Sequence, residues 1–340
     1  MAKKVRIAFL SFAHMHANGY AGELRALPKG SVEIAGIWDR DAARAKKMAK
    51  LLGTKAYAKR EQLLARKPDG AIVCSENVLH KEDVLAAAEA GCGVLCEKPL
   101  APTVADCRAM IDGCAKAGVP LMTAFPCRFL GTLMRLKERV DGGELGQVLA
   151  VSATNHGRQP GGWFADPKRS GGGAVMDHTV HVADLLRWLL KQEFTRVYAA
   201  AGFNRFALTR KAVGKRAVDD AGLLSLEMSG GTVAALDCSW SRPAEYPTWG
   251  DVKLELIGAQ AVARLDAFRQ RALLASKRTG KQVELFWGDQ AQGGLGGAFV
   301  KVLAEGLAPP ITGEDGLRAT EVVEAAYRSI RDGSPVVLAG

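Results

Sequence analysis

Two short stretches of this chain hold residue types that can do chemistry. The first is Val94-Leu95-Cys96-Glu97-Lys98-Pro99-Leu100, an apolar run stopped by an acid, a lysine and a proline. The second runs from Gly171-Gly172-Gly173 to Asp177-His178-Thr179-Val180-His181. There a carboxylate and an imidazole stand four residues apart behind three glycines. A buried lysine can hydrogen-bond a reacting oxygen, an imidazole can move a proton near neutral pH, and a carboxylate can bind hydroxyls. Residues four apart share a helix face, so Asp177 and His181 would be presented together. His178 lies about 100° further round the axis and reads as a core histidine. Plain structural roles compete for each residue. Lys98 could be a surface lysine in a strand-to-helix loop. Asp177 could be favoured merely by the helix N-terminus, and His181 could be satisfied by a backbone carbonyl. A metal set of Asp177, His178 and His181 is the weakest reading, because no further ligands follow at suitable spacing; no metal is expected.

The surrounding elements must aim these residues. Over roughly the first 125 residues, short apolar strands alternate with helical stretches: Val5–Leu10, a helix from Ala17 to about Leu27, Val32–Trp38, a helix from Ala42 to Leu52 and so on to Leu121–Ala124. That alternation predicts right-handed βαβ units and a parallel sheet. Proline cannot continue a central strand, so Lys98 falls at a strand's carboxyl end, where open α/β sheets bind ligands. The turn after the first strand should hold a phosphate. Yet Ser11, Ala13 and His16 stand where a G-x-G-x-x-G fingerprint would place glycines. Small residues and a helix N-terminus still offer amides there, and Asp39, ending the second strand, sits where a ribose-binding carboxylate belongs. The fingerprint alone does not decide for a dinucleotide site.

After Phe125 the pattern changes to one helix (about 130–141), many successive extended segments with Gly-containing turns, and two closing helices (about 297–307 and 316–332). This predicts an α+β second domain, with a single boundary separating residues 1–124 from 125–340 and the closing helices in the second part. The Gly-rich aromatic segment His156 to Phe164 is either a lid over a small molecule or a packed surface loop; its closeness to the triple glycine favours the lid.

The chain has 340 residues and a formal net charge of +10. No helix-turn-helix, zinc finger or RNA-binding aromatic motif accompanies that charge, so nucleic acid is not an expected partner; anionic substrates or phosphates would be attracted. No apolar run approaches the ~20 residues that span a bilayer. Seven cysteines, an odd number in mostly apolar surroundings, predict reduced, buried thiols. The expected location is cytoplasmic.

Taken together, Val32–Asp41, the helix with Arg44 and Ala49, Gly70–His80, Ala87–Pro102 with its Glu-Lys-Pro, Gly171–Trp188 and Asp315–Val336 resemble the glucose–fructose oxidoreductase / inositol dehydrogenase / rhizopine catabolism (Gfo/Idh/MocA) family along nearly the whole chain. The resemblance implies a Rossmann dinucleotide-binding domain followed by an α+β domain with a large, mostly antiparallel open sheet, whose exposed face often joins subunits into dimers or tetramers. It implies reversible hydride transfer between a nicotinamide, NAD with NADP left open, and a ring hydroxyl of a sugar, cyclitol or related polyol. By position, Lys98, Asp177 and His181 match the catalytic residues, and His156 and Trp163 join them at the substrate. Ser11, Phe12, Ala13, His14, Asp39 (adenosine ribose), Arg40 (over the adenine), Ser75, Glu76, Asn77, His80, Glu97, Lys98 and Arg128 are implied for the cofactor. Lys98-Pro99 is a candidate cis peptide. The turn without glycines departs from the family pattern, and Ser75-Glu76-Asn77 stands where Thr-Pro-Asn is usual. Two other activities fit the same pattern: a glycoside-cleaving enzyme that retains its NAD, and a non-catalytic ligand sensor.

Overall fold

A computed structural model describes residues 4–203, 218–268, 271–276, 281–286 and 294–338. The opening strands are β1 (Val5–Leu10), β2 (Val32–Trp38), β3 (Ala56–Tyr57), β4 (Gly70–Val73), β5 (Gly93–Glu97) and β6 (Leu121–Ala124). They alternate with α1 (His16–Ala26), α2 (Ala42–Leu52), α3 (Arg60–Leu64), α4 (His80–Glu89) and α5 (Val104–Ala117). All six strands pair in parallel in the order β3-β2-β1-β4-β5-β6. Helices on both faces explain why β4, β5 and β6 are buried at every position and show no apolar–polar alternation. The strand order reverses between β1 and β4. At such a reversal open α/β sheets bind ligands beyond the carboxyl ends; Ser11 follows β1 directly, and Ser75 lies two residues past β4.

The chain continues through α6 (Gly131–Asp141), β7 (Val148–Gly157), the single turn α7 (Pro167–Ser170) and α8 (Ala174–Leu190). Then follow β8 (Phe194–Phe203), β9 (Asp219–Met228), β10 (Val233–Ser239), β11 (Gly250–Gly258) and β12 (Val262–Asp266). β13 (Arg271–Ser276) and β14 (Lys281–Phe286) form a separate antiparallel pair, and α9 (Gly294–Glu305), α10 (Gly313–Asp332) and β15 (Val336–Val337) close the chain. The second sheet has the order β12-β11-β7-β10-β9-β8-β15. Only β7 and β10 pair in parallel, so this sheet is mostly antiparallel as expected. Its strands alternate with period two. Leu224, Leu226, Ala234 and Leu236 are buried on the face that carries α8. Tyr198, Leu223, Val233, Ile257 and Val262 lie exposed on the other.

Two compact units result: Met1–Pro126 with Asp166–Gly171 and Gly293–Glu324, and Cys127–Ala165 with Gly172–Gln292 and Ala325–Gly340. The chain therefore crosses near residue 126 but returns. α9 packs beneath β4, where a Cβ on Gly70 would meet Leu303 at 2.5 Å, and Glu324 on α10 accepts the Val104 amide at 2.9 Å. The change from alternating to antiparallel pattern marks the first crossing. A closing helix carries no comparable mark, because its apolar stripe reads the same whichever sheet it covers.

Candidate active site

In the first unit, β5 delivers Glu97 and Lys98 into a buried turn. Lys98 is 4% exposed, which rules out the surface-lysine reading, and its bond to Pro99 is cis. Glu97 is fully buried and well supplied with donors: the Tyr20 hydroxyl at 2.5 Å and the His16 ring at 3.1 Å on Oε1, and the Lys98 amide at 3.0 Å on Oε2. Burial alone would raise this carboxyl. The His14 and His16 rings and the Lys98 ammonium override it and hold Glu97 well below the usual carboxylate range. Tyr20 is pushed the other way, by burial first and by Glu97 second, and keeps its proton. Ligand atoms of His14, His16 and Glu97 lie within 4.8 Å of one another, a spacing a divalent ion could use. The donors already on Glu97 account for the cluster without an ion.

The turn after β1 is built on Asp39. Ser11 takes a left-handed φ of 75° although it is not glycine. Its hydroxyl reaches Asp39 Oδ2 at 3.1 Å and accepts the Ala13 amide at 3.1 Å. The Phe12 amide donates to the same Asp39 oxygen at 2.7 Å, and the His14 amide donates to the Cys74 carbonyl at 2.9 Å. Arg44, five residues on in the first turn of α2, grips Asp39 through both oxygens at 2.7 and 2.6 Å. Arg40 is placed over the Trp38 ring, 4.9 Å from its centre, and holds Asp83 and Glu82. The indole and two acids thus occupy the guanidinium that was expected over an adenine.

Along the loop after β4, Ser75 and Asn77 are buried, and Ser75 Oγ and Asn77 Oδ1 have no partner among the described residues. Buried polar atoms left unpaired are costly. These two fit a nicotinamide dinucleotide that would supply hydroxyls or an amide, and they lie on the loop after β4, the strand at which the order reverses. Asn77 is itself fixed by its amide on the Ser170 carbonyl at 2.8 Å, and Glu76 pairs with Arg169. Two expected cofactor residues are committed elsewhere. His80 has both ring nitrogens against carbonyls: Pro99 at 3.0 Å, Leu100 at 3.2 Å and Ser75 at 3.1 Å. It staples the two loops together, and burial lowers its pKa. Arg128 belongs to the second unit, where it forms a buried bidentate pair with Asp184 of α8 at 2.9 and 2.5 Å.

In the second unit, α8 begins so close to β9 that a Cβ on Gly173 would lie 1.8 Å from the Asp219 carbonyl oxygen. This is the close approach the triple glycine permits. Asp219 caps the helix through the Gly173 and Val175 amides at 3.1 and 2.7 Å, and Tyr327 donates to it at 2.7 Å. Asp177 follows in the first turn, where the helix dipole favours its charge. Buried Trp240 donates its indole N–H to Asp177 Oδ2 at 3.1 Å, fixing which way the carboxylate faces. His181 is half-buried on the same face, one turn further. His178 exchanges bonds with Asn155, ring to carbonyl at 2.8 Å and side-chain amide to the His178 carbonyl at 3.1 Å, so it is the core histidine anticipated.

Trp163 stacks on Phe164 with ring centres 3.9 Å apart and clusters with Ala174, Val218 and Trp240. It therefore belongs beside Asp177 in the packed aromatic end of this unit. His156 does not join them. Neighbouring Asn155 faces α8, so His156 points to the opposite face of the sheet, between Asp237 at 3.1 Å and Asp251 at 3.3 Å, with Arg242 at 2.9 Å. Period-two alternation, available in the sequence, separates 155 from 156.

Tyr20, His16, Asp219 and Trp240 stand outside the expected site residues, and Arg44 enters the sequence reading only as part of the family resemblance. Only Asp219-Asp220 carried a signal, since paired acids are unusual at the start of a buried strand. All seven cysteines are buried and free.

Known proteins align with both units. Residues 10–125 match the sequence profile of an oxidoreductase family with an NAD-binding Rossmann fold, and residues 133–264 match the GFO/IDH/MocA C-terminal domain. A D-xylose 1-dehydrogenase (NADP(+)) of Haloferax volcanii is 31% identical, over 94% of this chain and 96% of its own. A myo-inositol 2-dehydrogenase of Thermotoga maritima is 29% identical, over 87% and 88%. The structure of GenD2 from gentamicin A biosynthesis, solved with NAD, superposes with a TM-score of 0.85 at 23% identity, covering 100% of this chain and 98% of that one. With both halves of the fold and the Glu-Lys-Pro turn in place, the chain belongs to the Gfo/Idh/MocA family of NAD-binding oxidoreductases.

Proposed function

We propose that the protein is a nicotinamide-dependent dehydrogenase that oxidises a ring hydroxyl of a sugar, cyclitol or related polyol. The observation that carries this is the polar rim beyond the carboxyl ends of β4 and β5, where buried Lys98 follows an ionised Glu97 and Ser75 Oγ and Asn77 Oδ1 lie buried without partners. Bound nicotinamide would supply the hydride acceptor. The protein's own groups do the rest. Lys98 hydrogen-bonds the hydroxyl oxygen, and its ammonium stabilises the negative charge that develops there. His181 takes the hydroxyl proton. Asp177, oriented by Trp240, holds a neighbouring hydroxyl, and the Trp163–Phe164 pair gives a sugar ring an apolar wall. Each proton-handling group is worth about 10²–10⁴-fold in rate.

Relatives named for inositol, xylose, apiose and glucoside substrates favour a cyclic polyol. The decisive experiment screens sugars, cyclitols and glycosides with NAD and NADP, following nicotinamide absorbance and product masses. A matched appearance of reduced cofactor and ketone supports the dehydrogenase. Glycoside cleavage without any change in absorbance would move the assignment to the cofactor-retaining chemistry. Binding of a sugar with no turnover would leave a sensor.

We further propose assembly into a homodimer or homotetramer through the open face of the second sheet, because Tyr198, Leu223, Val233, Ile257 and Val262 give it a broad apolar character. Sedimentation of wild type against Leu223→Asp tests this; equal masses would refute it. No helix among the described residues is long and apolar enough to cross a membrane, and seven buried free thiols suit a reducing cytoplasm.

A further inference from the structure

The acid at the end of β2 is the place where this chain departs from its fold's usual chemistry. A carboxylate offers about four lone-pair positions. Asp39, its side chain wholly buried, already accepts five donors. Oδ2 takes the Ser11 hydroxyl, the Phe12 amide and Arg44 Nε, while Oδ1 takes the Asp41 amide and Arg44 Nη2 at 2.6–3.1 Å. Nothing is left to accept the two hydroxyls of a ribose. Two of those five bonds, from the Ser11 hydroxyl and the Phe12 amide, act on the turn itself. They hold Ser11 at a φ of 75°, a left-handed conformation that costs a non-glycine residue. The Ser11 amide is tied down as well, to the Trp38 carbonyl at 2.7 Å.

Resting on the assignment of a dinucleotide to the first unit, we propose that Asp39 is a positioning residue for the phosphate turn, doing by hydrogen bonding what a glycine does by lacking a side chain. Arg44 is then the specificity-determining residue. Its guanidinium neutralises Asp39 through a bidentate pair and remains partly exposed, 30% by side chain. An uncompensated carboxylate several ångströms from a ribose 2′-phosphate would weaken NADP by about a hundredfold or more at an effective dielectric near 20. With Arg44 in place that discrimination is largely cancelled. The protein therefore accepts NADH and NADPH with comparable affinity.

The pair of acids bound by Arg40 and Arg60 does not alter this. Glu82 and Asp83 are themselves matched by those two guanidiniums, so they add no free negative charge.

Fluorescence titration of the purified protein with NADH and NADPH tests both parts. Wild type should bind the two within about thirtyfold of each other, and Arg44→Gln should cost NADPH at least about tenfold more than NADH by unmasking Asp39. Asp39→Asn should weaken both cofactors to a similar extent. The double variant Ser11→Gly/Asp39→Asn should then recover most of the loss, because glycine needs no help to stay left-handed. Thermal unfolding of all four proteins without cofactor checks that each is folded. A wild-type preference for NADH wider than about thirtyfold would overturn the inference. So would a failure of Ser11→Gly to rescue, since a hydrogen bond to ribose removed at residue 39 cannot be restored at residue 11. Binding of neither cofactor by a folded wild type would overturn the dinucleotide assignment itself, and this inference with it.

Discussion

Replacing Glu97 with glutamine tests the buried charge on which the Lys98 turn rests. The substitution keeps shape and one acceptor oxygen. It removes the negative charge that the His14 and His16 rings and the Lys98 ammonium stabilise. Glu97 accepts three donors at 2.5, 3.1 and 3.0 Å. Hydrogen bonds to a charged group are worth about 1.5–3 kcal/mol each, against about 1 for neutral pairs. The glutamine amide can also face only one of the two sides as an acceptor, leaving the Lys98 amide or the Tyr20 hydroxyl badly matched. Together these give an expected loss of about 3–5 kcal/mol in unfolding free energy, the range seen when one partner of a buried charge cluster is removed. The pH dependence has a definite sign. A carboxyl whose folded pKa is depressed contributes stability that is present above its unfolded value, about 4.3, and is lost as pH falls towards the folded one. Urea midpoints of wild type and Glu97→Gln should therefore differ most near pH 7 and converge below about pH 4.3. Cofactor affinity should fall in parallel, because the mutated side chain also sets the Lys98 amide. A Glu97→Gln protein within about 0.5 kcal/mol of wild type at pH 7 would refute the claim that this cluster holds the turn.

Three other substitutions probe separate links. Trp240→Phe keeps the apolar ring but removes the donor that aims Asp177; kcat/KM on the identified substrate should fall about tenfold or more, with little change in thermal midpoint. Arg128→Met leaves Asp184 buried without its bidentate partner and should cost about 3–5 kcal/mol in urea unfolding. Burial would lower the His156 pKa, but Asp251 and Asp237 override it and raise it. Its contribution is therefore complete below about pH 6.5 and fades as pH rises through the higher folded value. The stability gap between wild type and His156→Gln should accordingly narrow from pH 6 towards pH 9, and a gap that widens would exclude the ion cluster as its source.

Much of the fold was legible because it depends on periodicity. Alternating buried strands and helices gave the parallel sheet, and period-two strands gave the second one. The placement of Lys98, Asp177 and His181 is legible because local rules set it: a proline ends a strand, and a four-residue step keeps one helix face. What stayed hidden depends on partners distant in the chain. The resemblance assigns His80 to the cofactor, but carbonyls of Pro99 and Leu100, about twenty positions away, take its ring. The resemblance likewise assigns Arg128 to the cofactor, but Asp184 pairs with it. His156 borders the aromatic loop in sequence, yet period-two counting from Asn155 turns it to the other face of the sheet.

The missing glycines show how such long-range partners can mislead a motif reading in either direction. Judged by the fingerprint, Ser11, Ala13 and His16 argue against a dinucleotide turn. Judged by position, Asp39 argues for an ordinary ribose contact. Each inference treats one residue alone, whereas the structure couples them: the acid from β2 is consumed in holding the serine that replaced the glycine. Once Asp39 has that task, keeping its charge bare would leave a buried carboxylate without compensation, which is costly. The arginine five residues later, in the first turn of α2, supplies the compensation. Ser11, Asp39 and Arg44 should therefore be substituted as a set. Single changes at 39 or 44 should perturb the turn and the cofactor preference together, and only a change that also restores glycine at 11 should separate the two effects.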